Sequence, residues 1–67
     1  MVLGDKLREG RINKKYSQGD VANYLKISRQ SISKWENNSS SPDLTNLVKL
    51  SDLYEISIDE LLKGSKE

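Results

Sequence analysis

SQGDVANYLKISRQSISKWEN, residues 17–37, reads as two short helices joined by a tight turn. With Ser28 set just outside the second helix and a turn of about 100° per residue, Ser31, Ile32, Trp35 and Glu36 share one arc. Arg29, Gln30, Ser33, Lys34 and Asn37 share the other. The second arc carries hydrogen-bonding side chains and no carboxylate. Such a face suits an anionic duplex, where Arg and Lys meet guanine and Gln or Asn meets adenine. An ordinary solvated helix face has the same composition, so this helix alone leaves both readings open.

Outward from this stretch, capping signals divide the rest of the chain into helices, and no alternating run is long enough for a sheet. The fold class is therefore all-α, with five helices. Helix 1 is predicted from about Gly4 to Asn13 with Leu3 and Leu7 inward, and helix 2 follows a cap at Ser17 with Val21, Ala22 and Leu25 inward. Capping boxes stand at Ser17–Asp20 and Ser57–Glu60, the second being the stronger match because its fourth residue is a glutamate. Apolar residues before three caps pair with the fourth helical position: Tyr16 with Val21, Ile27 with Ile32, Ile56 with Leu61.

Helix 4 is predicted to start near Ser41-Pro42-Asp43, with proline in the first turn and Leu44, Leu47, Val48 and Ser51 on one stripe, widened by Leu50, Leu53 and Tyr54. Helix 5 offers Ile58, Leu61 and Leu62 inward and is ended by Gly64. Residues 1–64 then form one domain and 65–67 a frayed tail. Between helices 3 and 4, Asn37-Asn38-Ser39-Ser40-Ser41 is a polar loop, read either as a plain connector or as a set of groups that meet a phosphate.

The 67 residues contain no cysteine and no histidine. A disulfide framework, a thiolate nucleophile, a histidine base and the usual zinc sites are therefore excluded, and enzymatic function is not expected. No cofactor, metal or small-molecule ligand is expected either, because the length leaves no room for a sensing domain. No apolar run approaches the roughly 20 residues that cross a bilayer, and the Met1 end reads as no signal peptide, so a soluble cytoplasmic protein is expected. Net charge is only +1, yet residues 1–38 hold eight Lys/Arg against four acids (+4) and the remainder three against six (−3). The candidate reading helix lies in the basic half.

Ser17-Gln18, then Ser28-Arg29-Gln30-Ser31-Ile32-Ser33-Lys34-Trp35-Glu36-Asn37, then Ser41-Pro42-Asp43 and Ile58-Asp59-Glu60-Leu61-Leu62 closely resemble the helix-turn-helix domain of phage repressor and Cro-type regulators. The match covers nearly the whole chain. It implies a compact five-helix bundle of the lambda-repressor-like type, in which helix 3 enters the major groove and helix 2 lies across the DNA backbone. Carried over by residue, it implies that Arg29, Gln30 and Lys34 read bases, with Ser33 facing the same groove. It likewise makes Gln18 a phosphate contact at the start of helix 2, and Ser28, Asn37 and Asn38 backbone contacts. Lys14 and Lys15 offer longer-range attraction only. Arg11 and Glu36 stand where the family has a structural ion pair, and Trp35 belongs to the core because it lies with Ile32.

Three positions depart from the family pattern. Lys26 replaces a turn glycine, at a cost of roughly 1 kcal/mol for a left-handed non-glycine. Lys15 stands where a glycine commonly ends helix 1. Gly10 replaces a large apolar residue, leaving room for a bulky neighbour such as Trp35 or Tyr54.

The resulting expectation is a sequence-specific DNA-binding transcriptional regulator, most simply a repressor, that binds a palindromic operator as a homodimer, since one short helix covers too few base pairs. Ile56, Ile58, Leu61 and Leu62 either form the dimer surface or complete the monomer core. The alternative is an antitoxin-like or anti-regulator module that uses the same fold to bind protein, and a third reading makes the chain the DNA-binding end of a longer regulator.

Overall fold

The capping signals become helix starts in the computed structural model, which describes residues 3–63. Its elements are α1 (Leu3–Asn13), α2 (Gln18–Leu25), α3 (Arg29–Glu36), α4 (Leu44–Tyr54) and α5 (Ile58–Lys63). The predicted Gly64 stop and the 65–67 tail lie outside the described residues. No described helix is long and apolar enough to cross a membrane.

At Ser17 both halves of the capping box form, Asp20 N–H to Ser17 Oγ and Ser17 N–H to the Asp20 carboxylate, each 2.9 Å. The box at Ser57 behaves differently from its sequence signal. Ser57 Oγ accepts from the Glu60 N–H at 3.0 Å, while the Glu60 carboxylate accepts from Lys6 Nζ at 3.3 Å, tying α5 to α1. The longer glutamate arm reaches a tertiary cation that the shorter Asp20 does not.

Each of α1 to α4 is followed within two residues by a left-handed residue that is not glycine: Lys15 (φ 65°), Lys26 (φ 60°), Asn38 (φ 62°) and Glu55 (φ 58°). The next residue's N–H then closes on the carbonyl five positions back, Tyr16 on Arg11, Ile27 on Ala22, Ser39 on Lys34 and Ile56 on Ser51, at 2.9–3.1 Å. Tyr16, Ile27 and Ile56 also pack against the core. One apolar residue thus finishes one helix and staples the next, which is why three of the four connections are so short. Ser39 is polar and has no such anchor, and there the chain runs on through a loop to Asp43. Because Lys26 holds a left-handed conformation that costs an L-residue about 1 kcal/mol, Lys26→Gly is expected to stabilise the protein by that amount, read as a raised thermal midpoint.

The core is Leu7, Val21, Ala22, Leu25, Ile32, Trp35, Leu47, Leu50, Tyr54 and Leu61. Helix 4 departs from its predicted stripe. It begins at Leu44 with Asp43 as N-cap, so Pro42 precedes the helix, and its buried residues are Leu47, Leu50 and Tyr54. Leu44 is 71% exposed and Val48 40%. The apolar positions of α4 support two overlapping stripes, and packing against α1 and α5 selects the one toward Tyr54. Leu62, predicted inward, is exposed, whereas Leu61 is fully buried.

Two glycines mark close approaches rather than turns. A Cβ at Gly10 would fall 2.9 Å from Ile56 Cδ1 and 3.0 Å from Tyr54 Cδ2, so the room left on α1 is filled by Tyr54 and Ile56, not Trp35. At Gly4 a Cβ would fall 2.6 and 2.7 Å from the Trp35 and Glu36 carbonyl oxygens, at the end of α3.

Candidate nucleic-acid interface

Helix 3 is held by its inner arc. Ile32, Trp35 and Glu36 are buried, and Ser28 caps its start, Oγ accepting from the Ser31 N–H at 3.2 Å. This leaves Arg29, Gln30, Lys34 and Asn37 exposed and Ser33 half-buried along one side of the helix. Their order follows from the cap: once Ser28 is outside the helix, positions 29, 30, 33, 34 and 37 fall outside the arc of Ile32, Trp35 and Glu36.

Among the described residues Glu36 is the charged member of the core, with 2% of its surface exposed. Its carboxylate accepts two hydrogen bonds from Arg11, Nε to Oε2 at 2.7 Å and Nη2 to Oε1 at 3.1 Å. Gln18 Nε2 adds a third at 3.1 Å, and Arg8 Nε lies 3.7 Å away. Arg11 Nη1 also donates to the Tyr16 carbonyl at 3.0 Å. A buried carboxylate needs such saturation, because an unpaired one costs on the order of several kcal/mol to desolvate. The hydrogen bond to Glu36 raises the Arg11 pKa against the opposing effect of burial, with Coulombic attraction adding to the rise. Burial, then the Glu36 charge, pushes the neighbouring Tyr54 phenol upward, so it stays neutral.

The residues carried over as phosphate contacts already have internal partners. Gln18 donates to Glu36, and the Ser28 hydroxyl caps α3 and lies 3.1 Å from Ser31 Oγ. Asn37 accepts from Arg8 Nη2 at 3.1 Å through Oδ1, and its Nδ2 donates to Ser33 Oγ at 3.4 Å. Asn38 Oδ1 accepts from the Gly4 N–H at 3.0 Å. Lys14 pairs with Glu55 at 2.9 Å, and Lys15 is exposed. Of the proposed dimer residues, Leu61 is removed from consideration because it lies wholly inside the monomer, Ile56 and Ile58 are half-buried, and Leu62 is exposed.

Two residues of the site were missed from sequence, Gly4 and Arg8. Their signal was the spacing Gly4, Arg8, Arg11, which puts all three on one side of α1, but the partner of that side is not written locally. Among the described residues no group of His, Cys, Asp or Glu is arranged to hold a metal.

A family profile described as helix-turn-helix matches residues 7–61. The chain belongs to the phage repressor and Cro-type helix-turn-helix family. It is 42% identical over 64 residues to the SPbeta prophage-derived HTH-type transcriptional regulator YonR of Bacillus subtilis, covering 96% of this chain and 59% of YonR. Against the HTH-type transcriptional activator BcrR of Enterococcus faecalis it is 36% identical over 66 residues, covering 98% of this chain and 32% of BcrR. It therefore spans less than two thirds of either relative. The crystal structure of the P22 c2 repressor protein in complex with a synthetic operator superposes with a TM-score of 0.88 at 32% identity, over 97% of this chain and 98% of that one. The family frame thus places α2 and α3 as the helix-turn-helix pair.

Proposed function

We propose that this protein is a sequence-specific DNA-binding transcriptional regulator, most simply a repressor, whose α3 enters the major groove of a palindromic operator as part of a homodimer. The observation that carries this reading is the two-sided α3. Its inner side is locked by Ile32, Trp35 and the Arg11–Glu36 pair, and its outer side presents Arg29, Gln30, Ser33 and Lys34 without a carboxylate. The P22 c2 repressor, solved on operator DNA, supports it through the same fold. Dimerisation brings two half-sites about one helical turn apart under two copies of α3, and exposed Leu62 with half-buried Ile56 and Ile58 is the surface for it. Double-stranded DNA and a second copy of the chain are the partners, and no catalysis enters the mechanism.

Arg29→Ala and Gln30→Ala are each expected to cost about 1–3 kcal/mol of operator affinity and to relax preference at one base position. Gln18→Ala is expected to weaken every duplex alike. Competition binding against single-base operator variants reads the difference, and a uniform loss from all three refutes the division of labour. The primary test is selection from a random duplex library, followed by affinity for the winner and for a scrambled duplex across a salt series. An enriched palindrome with half-sites about 10 base pairs apart is expected. No enrichment, with salt-sensitive background binding alone, turns the reading to a protein-binding module.

A further inference from the structure

One side of α1 grips three consecutive residues where α3 ends. Gly4, Arg8 and Arg11 stand at i, i+4 and i+7, and they meet Asn38, Asn37 and Glu36 in that order. The Arg11 contact holds a buried carboxylate and the Gly4 contact a backbone N–H. The Arg8 contact is different, because besides lying 3.7 Å from the Glu36 carboxylate it ends on a side chain at the edge of the reading face.

We infer that Arg8 is a positioning residue for DNA binding, acting through Asn37 by fixing which end of its amide faces the duplex. A guanidinium only donates, so the side of Asn37 turned toward Arg8 must be the carbonyl oxygen. Arg8 Nη2 meets Oδ1 at 3.1 Å and is itself held by the Glu36 carbonyl at 3.4 Å. The Asn37 NH2 therefore lies on the Ser33 side, with Nδ2 3.4 Å from Ser33 Oγ, and its second N–H remains for an acceptor. A phosphate oxygen is acceptor only. An amide turned the other way would set oxygen against oxygen, so Arg8 converts a two-way rotor into a fixed donor, and phosphate contacts of this kind set the register of a reading helix. Arg8 lies on α1, not on the reading face, its side chain is 44% exposed, and the Glu36 carboxylate it approaches keeps its hydrogen bonds from Arg11 and Gln18 without it, so its removal does not open the core. This inference rests on the DNA-binding reading above.

The test is a double-mutant cycle on Arg8→Ala, Asn37→Ala and the double variant. The probe is the duplex that wild-type protein enriches from a random library, bound at several salt concentrations, with thermal melting by circular dichroism alongside. Each single variant is expected to bind about tenfold more weakly while melting close to wild type, and the double variant about tenfold more weakly too, because both remove one contact. The salt dependence of Arg8→Ala is expected to match wild type. An additive loss of about a hundredfold, or a salt slope shallower by about one in Arg8→Ala, makes Arg8 a phosphate contact in its own right and overturns the inference. Unchanged binding by Arg8→Ala overturns it as well, as does a loss that only follows a fall in melting. Wild-type protein that enriches no duplex fails at the DNA-binding reading itself, before the cycle is reached.

Discussion

Glu36→Ala is expected to lose most of its folding stability, and its operator binding with it. The substitution strands a guanidinium whose side chain is only 14% exposed, removes the acceptor of Gln18, and leaves a space between α1, α2 and α3. Breaking a buried pair by removing one partner costs about 3–5 kcal/mol. A chain of this length is stable by only about 3–10 kcal/mol, so the loss is a large share of the total. Arg11 does not escape the penalty by giving up its proton, since guanidinium stays charged throughout the accessible pH range. Thermal melting is expected to fall by more than about 10 °C. Glu36→Gln, which keeps the shape and one acceptor, is expected to fall between the two. A Glu36→Ala protein that melts and binds like wild type sinks the structural role of the carboxylate.

Trp35→Ala is expected to be as damaging for a different reason. Trp35 is the largest side chain of the core and only 8% exposed, on the arc shared with Ile32 and Glu36. Truncating a buried Trp costs about 3–5 kcal/mol, because lost transfer energy and the cavity left behind add together. The effect on DNA follows from the position of α3, since its inner arc would no longer hold it against α1 and α2. Trp35→Phe separates this from a base-stacking role. It keeps an aromatic filler, so it is expected to melt lower than wild type yet discriminate operator from scrambled duplex as wild type does. Urea unfolding followed by far-ultraviolet circular dichroism, with competition binding on the folded protein, checks both. Loss of discrimination in a folded Trp35→Phe protein would falsify the core assignment.

Much of the architecture was legible because it is written at short range. Ser17 and Ser28 start helices through their own hydroxyls. Tyr16, Ile27 and Ile56 repeat an apolar residue immediately before each cap, and the 3.6-residue period sorted α3 into a buried and an exposed side. The Arg11–Glu36 pair came from family resemblance, as its two members are 25 residues apart and nothing in their spacing couples them. Where two local solutions were equally good, the sequence could not choose. Helix 4 carries enough apolar residues for more than one stripe, and Glu60 had both a capping N–H and a distant lysine within reach.

The sequence by itself determined where helices begin, which side of α3 is apolar, and that the chain has no cysteine and no histidine. Those properties depend on residues within about one helical turn of one another, whose geometry the backbone sets. Only the tertiary structure decided that α4 buries Leu47, Leu50 and Tyr54 rather than Leu44 and Val48, that Leu61 closes the core while Leu62 faces outward, and that Gly4 and Arg8 meet the end of α3. Each of these is a choice of partner between segments far apart in the chain. Close packing makes that choice through the fit of whole surfaces, which no local pattern contains.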